Sequence, residues 1–213
     1  MLNIQRFSFN PFQVNTFILW DDSKECAIID AGCYGQAEQD EITGFIMEKG
    51  LKPVKLINTH CHIDHILGCE FVKKKFNPTY HAPELDIPLI QNANKQASFV
   101  GMDFSTTLQP DEYLAEDKNL YLGKSELSFL FTPGHTPGEF CIYIKDIKSC
   151  ITGDVLFNDS IGRTDLWGGN YDTLIKSINE KLLTLPDETI IYPGHGESST
   201  IGREKNLNPF LNN

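Results

Sequence analysis

The first thirty residues read as strands. NIQRFSF (3–9) and NTFILW (15–20) are rich in β-formers, and ECAIIDAG (25–32) is a short apolar run stopped by Gly32. The period then changes to that of a helix. In GQAEQDEITGFIMEKG (35–50), Ile42, Phe45 and Ile46 fall on one face and Gly50 ends the pattern. VKLIN (54–58) has the continuous apolar character of a buried strand. A helix is expected from Asp64 or His65 to Phe76 with its lysines outward, and a second over 83–98. Residues 99–120 lack periodicity and read as loop. Strands return at ELSFLFT, FCIYIK and SCITG. An amphipathic helix, NYDTLIKSINEKLLTL (170–185), follows with Asn170 or Asp172 near its start, and ETIIYPG is the last strand. With no internal repeat, low-complexity stretch or Pro/Ser-rich linker, the pattern predicts one α/β domain over 1–213.

Composition changes this picture little. Apolar residues make up 40% and charged residues 22%, ordinary values for a globular chain that can bury a core without staples. The formal net charge of −11 disfavours a nucleic-acid surface, because phosphate backbones repel an acidic protein. Lys73-Lys74-Lys75 reads as the solvated face of a helix. No signal-peptide pattern opens the chain and no apolar run reaches membrane-spanning length. The six cysteines (Cys26, Cys33, Cys61, Cys69, Cys141, Cys150) lack a framework spacing and read as reduced thiols, with no bridge expected between Cys141 and Cys150. A cytoplasmic location, with neither nucleic-acid nor membrane partner, is the expectation; homo-oligomerisation stays open.

The histidines change the picture most. The chain has six, and three of them share the stretch THCHIDH (59–65) with an aspartate. THCH follows the strand VKLIN, TPGHTPG (132–138) follows ELSFLF, TGD (152–154) follows SCI, and YPGHG (192–196) follows ETII. Each time an apolar strand runs out into a polar loop carrying His or Asp, which is how α/β proteins build sites. Glycine and proline around His135 and His195 force turns and let backbone approach closely. The set is His60, His62, Asp64, His65, His135, Asp154 and His195. Imidazole and carboxylate suit zinc, iron or manganese, and cysteine is absent but for Cys61, which points away between two ligand candidates. Five imidazoles and two carboxylates exceed the needs of one tetrahedral ion, so two divalent ions with an open position for water are expected. A lone H-x-H is more often a satisfied core pair; H-x-H-x-D-H followed by three further loops in order is far more specific. His81, after PTY, lies outside the pattern and reads as structural or exposed.

THCHIDH, TPGHTPG, TGD and PGHG, in that order over the whole chain, resemble the metallo-β-lactamase superfamily. The resemblance implies a four-layer αββα sandwich with the metal site at one edge. It implies that His60, His62 and His135 hold a first ion and Asp64, His65 and His195 a second, with Asp154 bridging them. FNPFQVNTFIL near the start, SIGRTDLWGGN (160–170) and the terminal EKNLNPFL are similar to the glyoxalase II-related hydrolases, closest to the short bacterial type without a C-terminal helical domain. Glu197 departs from the larger glyoxalase II enzymes, which carry tyrosine there. Persulfide dioxygenases of the superfamily share the GRTD stretch and use one iron, at the positions of His60 (or His62), His135 and Asp154.

The expected chemistry is hydrolysis of a small-molecule thioester, a hydroxyacylglutathione hydrolase-like reaction. A hydroxide bridging two cations is a nucleophile at neutral pH, because the metals lower the pKa of water to about 7. A thiolate leaves without help, since a free thiol has a pKa near about 8.5, whereas an amine needs a proton donor. Asp64 is the candidate for orienting the attacking water and moving its proton. Arg163 could meet a substrate carboxylate or pair with Asp165, and the two readings weigh equally. Tyr143, Trp167 and Phe12 could line a pocket, though single aromatics are more often core. The competing functions are a mononuclear iron persulfide dioxygenase, a phosphodiesterase or nuclease, a β-lactamase and a non-enzymatic metal-binding scaffold. The intact ligand pattern weighs against the last.

Overall fold

A computed structural model describes residues 2–211. The chain divides into two compact units, Met1–Tyr113 with Leu122–Lys124, and Leu114–Tyr121 with Ser125–Asn213.

The first unit contains β1 (Asn3–Phe9), β2 (Val14–Trp20), β3 (Glu25–Ile29), α1 (Gln36–Lys49), β4 (Lys52–Ile57), α2 (Ile63–Ile66), α3 (Cys69–Phe76), β5 (Thr79–Ala82), α4 (Ile87–Gln91), α5 (Ala93–Phe99) and β6 (Glu112–Tyr113). Its six strands lie in the order β1-β2-β3-β4-β5-β6. The first two pairings are antiparallel and the remaining three parallel. β2 and β3 are buried along nearly their whole length, the apolar run of β3 and the FIL of β2 together with the polar Asn15 and Thr16. On α1, Ile42 and Ile46 enter a core with Cys26, Ile28 and Leu56. Burying such a side chain is worth about 1.5–3 kcal/mol. Gly50 ends α1 at φ 61°, where a residue without Cβ reaches the left-handed region at least cost.

The second unit contains β7 (Leu120–Leu122) up to Tyr121, β8 (Ser125–Phe131), β9 (Phe140–Ile144), β10 (Ser149–Gly153), β11 (Leu156–Phe157), β12 (Ser160–Ile161), α6 (Tyr171–Ser177), β13 (Ile190–Pro193), β14 (Ser199–Thr200) and α7 (Ile201–Leu207). Its main sheet runs β14-β13-β10-β9-β8-β7, with β10 and β13 parallel; β11 and β12 form a separate ribbon. α6 carries Leu174 into a core with Cys141, Cys150 and Ile191, and Ile178 and Leu182 in the π-helical stretch Ile178–Leu182 that continues it join the same core. Each unit is therefore a sheet with helices laid on it, the α/β class expected.

Several elements differ from the sequence expectation. The helix over 64–76 is two helices, interrupted at Gly68, where a Cβ would stand 2.4 Å from Cys33 Sγ and 2.8 Å from the Ala31 carbonyl. The helix over 83–98 likewise divides, at Asn92. Residues 99–120 are not all loop, since they hold β6 and open β7. β5 and α7 were not expected at all. Of the two candidates at the start of α6, Asn170 is the cap, its side chain accepting from the Thr173 N–H at 2.9 Å. All six cysteines are buried free thiols. Desolvation pushes the Cys26 and Cys33 thiols up to about 12. Cys141 and Cys150 sit diagonally across the β9–β10 ladder without a bridge. No helix among the described residues is long and apolar enough to cross a membrane.

Candidate metal centre

In the first unit the chemistry begins where β4 ends. Its last residue, Ile57, leads into Asn58-Thr59-His60-Cys61-His62, and His62 is the cap residue of α2, which carries Asp64 and His65. His60, His62 and His65 are buried. The His60 ring lies 4.9 Å from that of His62 and 4.0 Å from that of His65, centroid to centroid. Asp64 Oδ2 is 3.6 Å from His65 Nε2.

The buried carboxylate of Asp30, just past β3, organises this loop. It accepts from the Thr59 N–H at 2.8 Å and the Thr59 hydroxyl at 2.7 Å, and it lies 3.1 Å from His65 Nδ1. Because the Thr59 hydroxyl hydrogen goes to Asp30, Thr59 Oγ1 faces His60 Nδ1, 3.2 Å away, as an acceptor. His60 is thereby held with Nδ1 protonated and the Nε2 lone pair as its donor atom. Cys61 points into the core, as expected, and its N–H donates to the buried Asp86 at 3.1 Å. The Asn10 side chain reaches both the Gly32 carbonyl and the Asp64 carbonyl at 3.0 Å. A Cβ at Gly32 would collide with Val14 at 2.1 Å, so the strand end and the Asp64 turn meet through a glycine.

In the second unit His135 sits on the turn after β8, Asp154 just past β10 and His195 just past β13. The His135 turn is closed by Thr132 N–H to the Glu139 carbonyl and by Gly134 N–H to the Thr136 carbonyl. His135 Nδ1 donates to the Arg163 carbonyl at 2.8 Å, which again leaves Nε2 as the lone-pair nitrogen. Asp154 Oδ2 stands 3.6 Å from His135 Nε2 and 3.6 Å from His195 Nε2. One carboxylate oxygen is thus shared between two imidazoles. At Gly162 a Cβ would fall 1.9 Å from the Asp154 carbonyl, so GRTD can pass this close only because it opens on glycine.

The Arg163 side chain takes the second of its two expected roles. Its Nε and Nη2 donate to the two Asp165 oxygens at 2.7 Å each, and both side chains are exposed. That guanidinium holds the Asp165 carboxyl down to about 2. Tyr143 lies on β9 and packs against the core of its unit. Trp167 is 56% exposed. His81 is a buried β5 residue, 3.9 Å from Glu112.

The donor set fits a divalent cation of intermediate hardness within each unit. It offers imidazole Nε2 atoms and carboxylates and no thiolate, the chemistry of zinc, iron or manganese. Three imidazoles have Nδ1 facing a carboxylate, a hydroxyl or a carbonyl, the arrangement that orients metal-ligating histidines. Sequence reading missed those orienting groups. ECAIIDAG ended its strand on an aspartate, but nothing in that run told its carboxylate apart from a turn residue.

The sequence profile of the metallo-beta-lactamase superfamily matches residues 9–195. The chain is 40% identical to the probable metallo-hydrolase YqgX of Bacillus subtilis, over 98% of this chain and 97% of that protein. It is also 40% identical to the hydroxyacylglutathione hydrolase GloC of Haemophilus influenzae, over 99% of both. The crystal structure of BLEG-1, a B3 metallo-beta-lactamase, superimposes with a TM-score of 0.91 at 33% identity, covering 99% of this chain and all of that one.

Proposed function

Because the chain belongs to the metallo-beta-lactamase superfamily, whose members are generally metal-dependent hydrolases, we propose that it hydrolyses a small-molecule thioester at a centre of two divalent ions. In this reading 1–213 works as one domain. His60, His62 and His135 hold one ion, Asp64, His65 and His195 hold the other, and Asp154 serves both. Zinc is the expected metal, with iron or manganese compatible with the same donors. A bound divalent ion supplies Lewis-acid polarisation of a carbonyl and brings the pKa of water to about 7.

The chain's own groups do the rest. Asp30 and Thr59 keep His65 and His60 in one orientation, and the Arg163 carbonyl does so for His135. Asp64, its backbone pinned by Asn10, orients a water and takes its proton. No further acid is required, because a thiolate departs unprotonated. The observation that carries metal dependence is the set of histidines whose Nδ1 atoms are already held. The likeness to the hydroxyacylglutathione hydrolase GloC over the full chain supports the thioester.

The test is elemental analysis of protein purified without added metal, then hydrolysis of S-D-lactoylglutathione and of a chromogenic β-lactam on the same sample. About two ions per chain with thioester turnover supports the reading. One iron per chain with oxygen uptake on a persulfide replaces it with the dioxygenase. β-Lactam turnover alone would make the BLEG-1 likeness functional. Bound metal with turnover of none of these substrates would leave a metal-binding scaffold.

A further inference from the structure

Glu139 stands in the turn that follows His135, and its side chain is wholly buried. A buried carboxylate is costly unless it is hydrogen-bonded, so its partners indicate its role. Its Oε1 accepts from the Asp154 N–H at 2.7 Å, a charge-assisted bond in the strong range. Its own carbonyl accepts from the Thr132 N–H at 2.9 Å and closes the turn that carries His135. The same residue therefore fastens the His135 turn with its backbone and the Asp154 peptide with its side chain.

That peptide has a second end. The Gly153 carbonyl, in the same peptide group as the Asp154 N–H, accepts from the Gly194 N–H at 2.7 Å, one residue before His195. A single peptide plane is thus gripped by Glu139 on one side and by the His195 loop on the other. Hydrogen bonds at the two ends of one amide polarise each other in the same sense. Asp154 Oδ2, one residue's reach from this plane, is the atom lying 3.6 Å from both His135 Nε2 and His195 Nε2. Gly153 sits at φ 49° and the Val155 N–H returns to the Thr152 carbonyl at 3.1 Å, so the backbone here turns tightly. A tilt of the 153–154 plane would move the carboxylate directly.

We propose that Glu139 is a positioning residue for the metal centre. By fixing the Gly153–Asp154 peptide, it sets the Asp154 carboxylate between His135 and His195. The inference rests on the metal-dependent reading above. Two kinds of replacement separate acceptance from charge. Gln keeps an oxygen that accepts from the Asp154 N–H, whereas Leu keeps the volume and removes the acceptor.

The experiment is metal competition with a chromophoric chelator, using zinc-loaded wild type, Glu139→Gln and Glu139→Leu, with amide hydrogen exchange at Asp154 read on the wild type. The expected result is slow Asp154 exchange and near wild-type zinc retention in Glu139→Gln. Retention in Glu139→Leu should weaken about 10- to 100-fold, the usual effect of losing an outer partner of a ligand. Zinc retention in Glu139→Leu equal to wild type would overturn the proposal, as would a loss in Glu139→Gln as large as in Glu139→Leu. If Glu139→Leu fails to fold, fast exchange of the Asp154 amide in the wild type still overturns it. A wild type that retains none of zinc, iron and manganese fails the metal-dependent reading itself, a different result from one that binds zinc regardless of residue 139.

Discussion

Thr59 shows how a small side chain decides the chemistry of a larger one. It gives its hydroxyl proton to Asp30 and faces His60 with its lone pairs, so it fixes which imidazole nitrogen can bind a cation. Thr59→Val keeps the shape and removes both contacts. Losing one buried acceptor contact and one donor contact costs about 1–3 kcal/mol each, so urea denaturation of the metal-free variant should show a loss of about 2–6 kcal/mol. Zinc competition should show roughly tenfold weaker binding or more. An unchanged affinity would mean that His60 does not depend on Thr59 for its orientation. At the surface, the Arg163–Asp165 pair makes a titration prediction. Asp165 is depressed to about 2 by the guanidinium, first through its hydrogen bonds. A depressed carboxyl favours the folded state above its ordinary value of 3.8, and that contribution disappears as the pH falls towards 2. Carbon-13 NMR should place the Asp165 midpoint near about 2, and Arg163→Ala should return it towards 3.8. A midpoint already at the ordinary value in the wild type would show that the pair does not persist in solution.

Elements differ in how openly the sequence declares them. α1 was legible because its apolar spacing, its Gly50 stop and its core face all agree. β5 was not, because TYHA is four residues long, follows Asn77-Pro78 and carries a histidine inward. Its pairing with β4 on one side and β6 on the other makes it a strand. α7 escaped because its seven residues, IGREKNL, offer little apolar periodicity. The same division runs through the candidate site. Histidines cluster visibly, since three of the chain's six fall within THCHIDH. Asp30 and Asp86 act on partners twenty-nine and twenty-five residues away, through contacts that exist only after folding. α6 offers a direct check at this scale. Its cap is Asn170 Oδ1 on the Thr173 N–H, and the Asn170 N–H itself donates to the Gly134 carbonyl beside His135. Asn170→Ala removes the cap alone, at a cost of about 1 kcal/mol. For a chain of this size that lowers Tm by about 2–4 °C. A calorimetric scan showing no shift would mean that water replaces the cap without cost.

At the scale of the whole molecule, the proposed ions have a consequence that does not involve turnover. His60, His62, Asp64 and His65 belong to one compact unit, and His135, Asp154 and His195 to the other. If ions take ligands from both, their binding free energy stabilises both units together. With free metal at about a thousand times Kd, linkage adds about 4 kcal/mol to the folded state for each ion bound. At about 2–4 °C per kcal/mol, removal of the metal should lower Tm by roughly 8–16 °C per ion. The chain carries its own reporters, because its two tryptophans, Trp20 and Trp167, lie one in each unit. Trp167→Phe leaves a signal from the first unit, next to Phe45, and Trp20→Phe leaves one from the second. In the metal-loaded protein the two variants should melt with reporters that fall by a similar interval on chelation. A chelator that moved only one reporter would confine the metal to one unit. In that case the ligand division proposed for His135 and His195 would be wrong even if the protein remained a hydrolase.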